Sequence, residues 1–209
     1  MQTPPKTIFV TGIGTGVGKT IASAVLTEAL NADYWKPIQC GNLDSSDTKI
    51  VQSLLSNSVS QIHPETYRFK TASSPHYAAK AEGLEIELAK CIAPVTPRHL
   101  VIEGAGGLLV PLNRKECIAD LICALQAPVV LVCRNYLGSI NHALLSIELL
   151  KQKSIPLLGL IFSGSNFLDN EEIIQHFGQT KILGRIDEAT TINKEFIQQQ
   201  AKKLRSTFL

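Results

Sequence analysis

Short apolar runs rich in β-branched residues recur along the chain, separated by longer amphipathic stretches. Residues 7–10, 34–35, 99–102, 128–133, 157–162 and 181–186 read as strands, and most segments between them read as helices. The run Val129-Val130-Leu131-Val132 is apolar throughout rather than alternating, which predicts a strand covered on both faces. A βαβα rhythm of this kind predicts a parallel sheet with helices on each side, and ligands gathered at the carboxyl ends of its strands. No internal repeat, low-complexity tract or linker divides the chain, so residues 1–209 are expected to form a single domain. The least regular stretch, 64–75, is expected to be a surface loop.

Between the first strand and the helix-like stretch 21–30 stands Gly12-Ile13-Gly14-Thr15-Gly16-Val17-Gly18-Lys19-Thr20. The order of strand, glycine-rich loop, Lys-Thr and helix is that of a phosphate-binding loop. Glycines allow successive backbone N–H groups to turn toward an anion, Lys19 adds positive charge, Thr20 offers a hydroxyl to Mg²⁺, and the helix N-terminus contributes its dipole. Five residues separate Gly12 from Gly18 where four are usual, with Ile13 in the place of the ordinary glycine, so the loop is a lengthened variant. The fold class expected is therefore α/β, a P-loop NTPase-type, mostly parallel sheet.

Composition narrows the partners. Twenty Lys and Arg against 18 Asp and Glu leave a net charge of +2, too small to suggest a nucleic-acid or membrane surface, and small molecules are the expected partners. The five cysteines (Cys40, Cys91, Cys117, Cys123 and Cys133) form an odd set without C-x-x-C spacing, as expected in a reducing cytoplasm. The N-terminus lacks the apolar stretch of a signal peptide, and no apolar run is long enough to span a bilayer, so a soluble protein is expected.

Four further places carry chemistry. Pro37 discourages helix at Lys36, presenting that side chain from a strand end near the loop; the ordinary reading of such a lysine is a solvated charge. Asp47 stands where a residue either caps the following helix or faces a metal. Glu103 comes at the end of a strand, before Gly104-Ala105-Gly106-Gly107, and a carboxylate there, beside a flexible glycine turn, is placed to hold Mg²⁺ directly or through water. Leu137-Gly138-Ser139-Ile140-Asn141-His142 opens a helix whose first N–H groups suit a carboxylate, with simple capping by Ser139 as the plainer alternative. His76 and His142 are read as structural rather than catalytic.

Taken together, the loop, Lys36-Pro37 with Gly41, Asp47, Ser74-Pro75-His76, Glu103 to Gly107 with Pro111-Leu112, and Leu137-Gly138 with Ile140-Asn141-His142-Ala143 resemble the dethiobiotin synthetases, the ATP-dependent carboxylases of biotin synthesis. The order and spacing match over nearly the whole chain. The resemblance implies Mg²⁺- and ATP-dependent ring closure of 7,8-diaminopelargonate with CO₂, through a carbamate and a carbamic-phosphoric anhydride, releasing ADP and phosphate. It implies nucleotide contacts from Gly16, Val17, Gly18, Lys19, Thr20 and Ile21 and from Asp47, Glu103, Gly104, Ala105 and Gly106. Thr20, Asp47 and Glu103 would organise Mg²⁺, while Lys19 and Lys36 would act on the transferring phosphoryl group. Thr15 and Cys40 would border the diamine beside Lys36, and Gly138, Ser139, Ile140 and Asn141 of a neighbouring subunit would take its distant carboxylate, which makes a homodimer.

Some positions depart from the family pattern. Gly16 replaces a common acidic residue, Cys40 a common serine and Asp187 a usual proline. Ser163 and Gly164 occupy the base site, where an asparagine that reads adenine is frequent; here Asn166 lies three positions on. A rival of another class is a ParA/MinD-like partitioning or assembly ATPase, a switch protein of similar fold. Such proteins usually carry a further lysine early in the loop, where this chain has Gly14, and residues 192–209 lack the unbroken apolar face of a membrane anchor. A cobyrinate-type amide synthetase shares the lengthened loop but would normally need a glutaminase domain.

Overall fold

A computed structural model describes residues 6–165 and 169–208. Along the chain run β1 (Thr7–Gly12), α1 (Lys19–Leu30), β2 (Asp33–Trp35), β3 (Ile38–Cys40), α2 (Asp47–Leu54), β4 (Ile62–His63), β5 (Tyr67–Phe69) and α3 (Pro75–Ala81). There follow β6 (Leu100–Gly107), α4 (Ile118–Leu125), β7 (Val129–Arg134), α5 (Ser139–Gln152), β8 (Leu157–Ser163), α6 (Asn170–Gly178), β9 (Ile182–Ile186) and α7 (Lys194–Phe208). Seven strands make one sheet in the order β4-β2-β6-β1-β7-β8-β9, with every pairing parallel.

Strand alternation divides the core into two layers. Ile8, Val10, Val101, Val130, Val132 and Ile161 pack with residues of α1, α2 and α7, among them Val25, Val51 and Ala201. Phe9, Ile102, Leu131, Leu160 and Phe162 pack with residues of α3, α4, α5 and α6, among them Ala78, Ile122, Ile147 and Ile174. Phe9, Ile8 and Phe162 are wholly buried, and each such side chain contributes roughly 1.5–3 kcal/mol. This two-faced burial is why the central strands read as unbroken apolar runs.

Two local expectations need correction. Residues 104–107 are not a turn after Glu103: β6 runs through to Gly107, which pairs with Gly12 after the register shifts between Val10 and Gly12. Glycine is needed there for close packing, since a Cβ on Gly104 would lie 2.7 Å from Phe9 Cε1. Nor is 64–75 only a loop, because β5 lies inside it and pairs in parallel with β3 as a small separate sheet. Tyr67 and Phe69 stack there at 5.9 Å between ring centroids. These three-residue strands are too short to show a period in the sequence.

Candidate active site

β1 ends in the phosphate loop, which leads directly into α1. A Cβ on Gly12 would come within 2.5 Å of Val17 Cγ2, so only glycine lets the loop close on itself. Gly18 caps α1 in the left-handed region at φ +93°, with Ser163 Oγ 2.5 Å from where its Cβ would stand. Lys19 opens the helix, and its Nζ donates to the Gly14 carbonyl at 2.7 Å. Burial pushes Lys19 down to about 8, with Glu103 and Asp47 pulling it back up and Lys36 adding repulsion.

Beside the loop, β2 and β6 bring Lys36 and Glu103 together, and the first residue of α2 adds Asp47. Lys36 Nζ lies 2.9 Å from Asp47 Oδ2 and 3.1 Å from Glu103 Oε1. The Thr20 hydroxyl sits between the same two carboxylates, 2.7 Å from Asp47 Oδ1 and 3.0 Å from Glu103 Oε1. Tyr34 donates its buried hydroxyl to Glu103 Oε2 at 2.8 Å. Burial disfavours the Lys36 ammonium, but Glu103 and Asp47 outweigh it and hold the lysine above its ordinary value. Burial likewise works against the Asp47 carboxylate, and Lys36 and Thr20 reverse that, keeping it below the usual range. Tyr34, buried next to Glu103, is pushed well up and stays a neutral donor.

Lys36 is thus no solvated charge: only 4 % of it is exposed. Asp47 is not the cap of α2, since Ser46 takes that place and accepts from Lys49 N–H at 3.4 Å. Its backbone is instead anchored by Gln39, whose Oε1 accepts from Asp47 N–H at 3.3 Å while its amide donates to Gly41 O at 3.0 Å. Tyr34 and Gln39 are site residues that the motifs did not mark. Tyr34 had a signal, because it stands two positions before Lys36 and so on the same side of the strand.

A cavity of about 650 Å³ is lined by Thr15, Gly16, Gly18, Lys19, Thr20, Ile21, Lys36, Cys40, Asp47, Glu103, Ala105 and Gly106, together with Gln39 and the 72–75 segment. Val17 turns into the core, and Gly104 stays in the strand with its carbonyl 3.4 Å from Lys36 Nζ. The Cys40 thiol is pushed by burial up to about 11, so it faces the cavity protonated. Ser163 and Gly164 lie across the loop at the end of β8, outside this cavity; Asn166 lies outside the described residues.

Gly138, Ser139, Ile140 and Asn141 do not reach the cavity of their own chain. Ser139 is buried and engaged locally, its N–H bonded to Tyr136 O at 2.9 Å and its Oγ accepting from Tyr136 N–H at 3.3 Å. The first-turn donors suited to a carboxylate are therefore the N–H groups of Ile140 and Asn141.

Two carboxylates and a hydroxyl form an all-oxygen donor set that suits a hard cation such as Mg²⁺. Among the described residues no group of three or more His, Cys, Asp or Glu could hold a metal. Nucleotide phosphates are then expected to complete the coordination, as is usual for Mg²⁺.

A phosphate loop closing on Lys-Thr, on a parallel sheet and beside a buried lysine with two carboxylates, defines a P-loop protein that uses a nucleoside triphosphate. Residues 6–195 match a family model described as an AAA domain. The chain is 49 % identical over 201 residues to the ATP-dependent dethiobiotin synthetase BioD of Christiangramia forsetii, covering 96 % of this chain and 97 % of that one. The synthetase of Cytophaga hutchinsonii is 46 % identical over 95 % of this chain and 97 % of its own. This chain belongs to the family of ATP-dependent dethiobiotin synthetases.

Among solved structures, the MinC:MinD cell division complex of Aquifex aeolicus aligns with a TM-score of 0.59 at 13 % identity, covering 98 % of this chain and 94 % of that one. A putative plasmid partition protein of Borrelia burgdorferi aligns with a TM-score of 0.58 at 14 % identity, covering 99 % and 98 %. At such identities the likeness is one of fold alone, so the partitioning-ATPase alternative has the fold in its favour and nothing closer.

Proposed function

We propose that this chain, acting as one domain over residues 1–209, closes the ureido ring of dethiobiotin from 7,8-diaminopelargonate, CO₂ and ATP. One amine takes up CO₂ as a carbamate. A carbamate oxygen attacks the γ-phosphorus of ATP, releasing ADP and leaving a carbamic-phosphoric anhydride. The second amine then attacks the carbonyl carbon, and phosphate leaves as the ring closes.

The observation that carries this reading is the Lys36 ammonium buried 2.9 Å from Asp47 and 3.1 Å from Glu103 beside the phosphate loop. A fixed cation in a site with little water is worth more to a transferring phosphoryl group than one in solvent, and costs no reorganisation as charge moves. Lys36 would stabilise the carbamate and the phosphoryl oxygens, and Lys19 would hold the β- and γ-phosphates. Thr20, Asp47 and Glu103 would hold Mg²⁺, which neutralises phosphate charge when bound. Thr15 and Cys40 would border the diamine. The remaining loop residues, with Gly104, Ala105 and Gly106, would line the nucleotide, and Ser163 and Gly164 its base.

The cavity does not include Gly138 to Asn141 of the same chain, which supports a homodimer in which each subunit's α5 N-terminus takes the distant carboxylate of its partner's substrate. No helix among the described residues is long and apolar enough to cross a membrane; the partners proposed are small cytoplasmic metabolites, not nucleic acid or membrane. The test is phosphate release from ATP with Mg²⁺ and bicarbonate, with and without the diamine, while dethiobiotin is followed by mass. Diamine-dependent release matched one for one by dethiobiotin is expected; release indifferent to the diamine would favour a switch ATPase.

A further inference from the structure

Sheet order gives the nucleotide a direction. Lys36, Asp47 and Glu103 are grouped on the β2–β6 flank of β1, so the γ-phosphate end lies there. The sugar and base must then extend to the opposite flank, over the ends of β7, β8 and β9.

On that flank most polar groups are already engaged. The Gly164 carbonyl accepts from Arg185, which also pairs with Glu171. Asp187 is turned toward α7, where Gln200 and Lys203 bond its carboxylate. Glu188, the next residue, turns toward the end of β8 instead: its Oε1 lies 3.7 Å from where a Cβ on Gly164 would stand. Arg134, at the end of β7, reaches across, with NH1 3.4 Å from Gly16 O in the phosphate loop and NH2 3.8 Å from Glu188 Oε1.

An ion pair this exposed, with side chains 52 % and 62 % accessible, adds little to stability. Its placement between the phosphate loop and the end of β8 calls for another account. We infer that Glu188 is a nucleotide-specificity residue, whose carboxylate accepts a hydrogen bond from the exocyclic amino group of the base while Arg134 positions it. A carboxylate only accepts, so a base that offers an N–H donor is favoured over one that offers none. The inference rests on the nucleotide-dependent function proposed above and names how that site reads the base.

The experiment compares Mg²⁺–ATP with Mg²⁺–purine riboside triphosphate, which differs from ATP only in lacking the 6-amino group, by calorimetric binding. The parent is expected to prefer ATP by about tenfold, as for loss of one hydrogen bond to a charged group. Glu188→Ala should bring the ratio close to one, and Arg134→Met, which frees the carboxylate without removing it, should give an intermediate ratio. A preference unchanged in Glu188→Ala, with ATP still bound, overturns this inference and leaves the functional reading standing. A parent that binds neither nucleotide overturns both.

Discussion

Lys36 and Glu103 meet at 3.1 Å where neither reaches bulk water, the lysine 4 % and the glutamate 1 % exposed. Each comes from a strand neighbouring the other, so the contact exists only because β6 is laid between β2 and β1. With Lys19 and Asp47 the cluster holds two cations and two carboxylates in balance. The pair is weak evidence for stability, since desolvation opposes it, but it fixes an ammonium where phosphoryl charge is expected to move.

Lys36→Met should therefore lower turnover by about a hundredfold or more while changing ATP affinity far less, the pattern of a group that acts in the transition state. It should also lower the melting temperature, because Asp47 and Glu103 lose their shared partner. Single-turnover phosphate release alongside calorimetric ATP binding checks this. Equal losses in both would remove the role.

Glu103→Gln keeps the volume and lets Tyr34 still donate to a side-chain oxygen, but withdraws one negative charge from Thr20 and Lys36. The Mg²⁺ concentration for half-maximal phosphate release should rise about tenfold, the scale seen when groups supporting a metal site are lost. A magnesium titration of the variant that overlays the parent's would show that Glu103 does not serve the metal.

The phosphate loop, the parallel sheet and the candidate residues around Lys36, Asp47 and Glu103 were legible because each is written in neighbouring residues. What escaped is non-local. That Lys36 is buried depends on two strands distant in sequence, and position alone made it a solvated charge. Gly104 to Gly107 look like a turn in isolation, yet pairing of Gly107 with Gly12 and the crowding by Phe9 make them strand. Asp47 reads from its neighbours as either a cap or a metal-facing residue, and only the fold, with Ser46 as the cap, separates the two. Asp187 departs from the family pattern, yet its carboxylate bonds to α7, and it is Glu188, past the end of β9, that lies beside Gly164.

At the far end of β2, Asp33 is fully buried, and its carboxylate accepts from Gln61 N–H at 2.8 Å, Arg98 Nε at 2.8 Å and Thr96 Oγ1 at 2.5 Å. Burial works against its charge, but Arg98, Thr96 and Gln61 hold its pKa below the ordinary carboxylate value. Because the folded pKa is depressed, this stabilisation is present above the unfolded pKa and is lost as pH falls through the folded one. Asp33→Asn should cost about 2–4 kcal/mol near neutral pH by denaturant unfolding. The gap to the parent should shrink in acid, and a constant gap would count against the carboxylate's charge as its source.

Lys19 titrates with the same sign at higher pH. Its pKa of about 8 lies below the 10.5 of an exposed lysine, so between these values the unfolded chain holds more protons and this group makes unfolding costlier as pH rises. A polyphosphate brought against Lys19 adds negative charge and should restore the proton. ATP binding at about pH 9 is then expected to take up a fraction of a proton approaching one, and close to none at about pH 7, where the lysine is already charged. Binding enthalpies measured in buffers of different ionisation enthalpy read that uptake directly. Lys19→Arg, charged at every accessible pH, should abolish it. Uptake that persists in the arginine variant would place the titrating group elsewhere, and none in the parent at about pH 9 would mean that Lys19 is fully charged before the phosphates arrive.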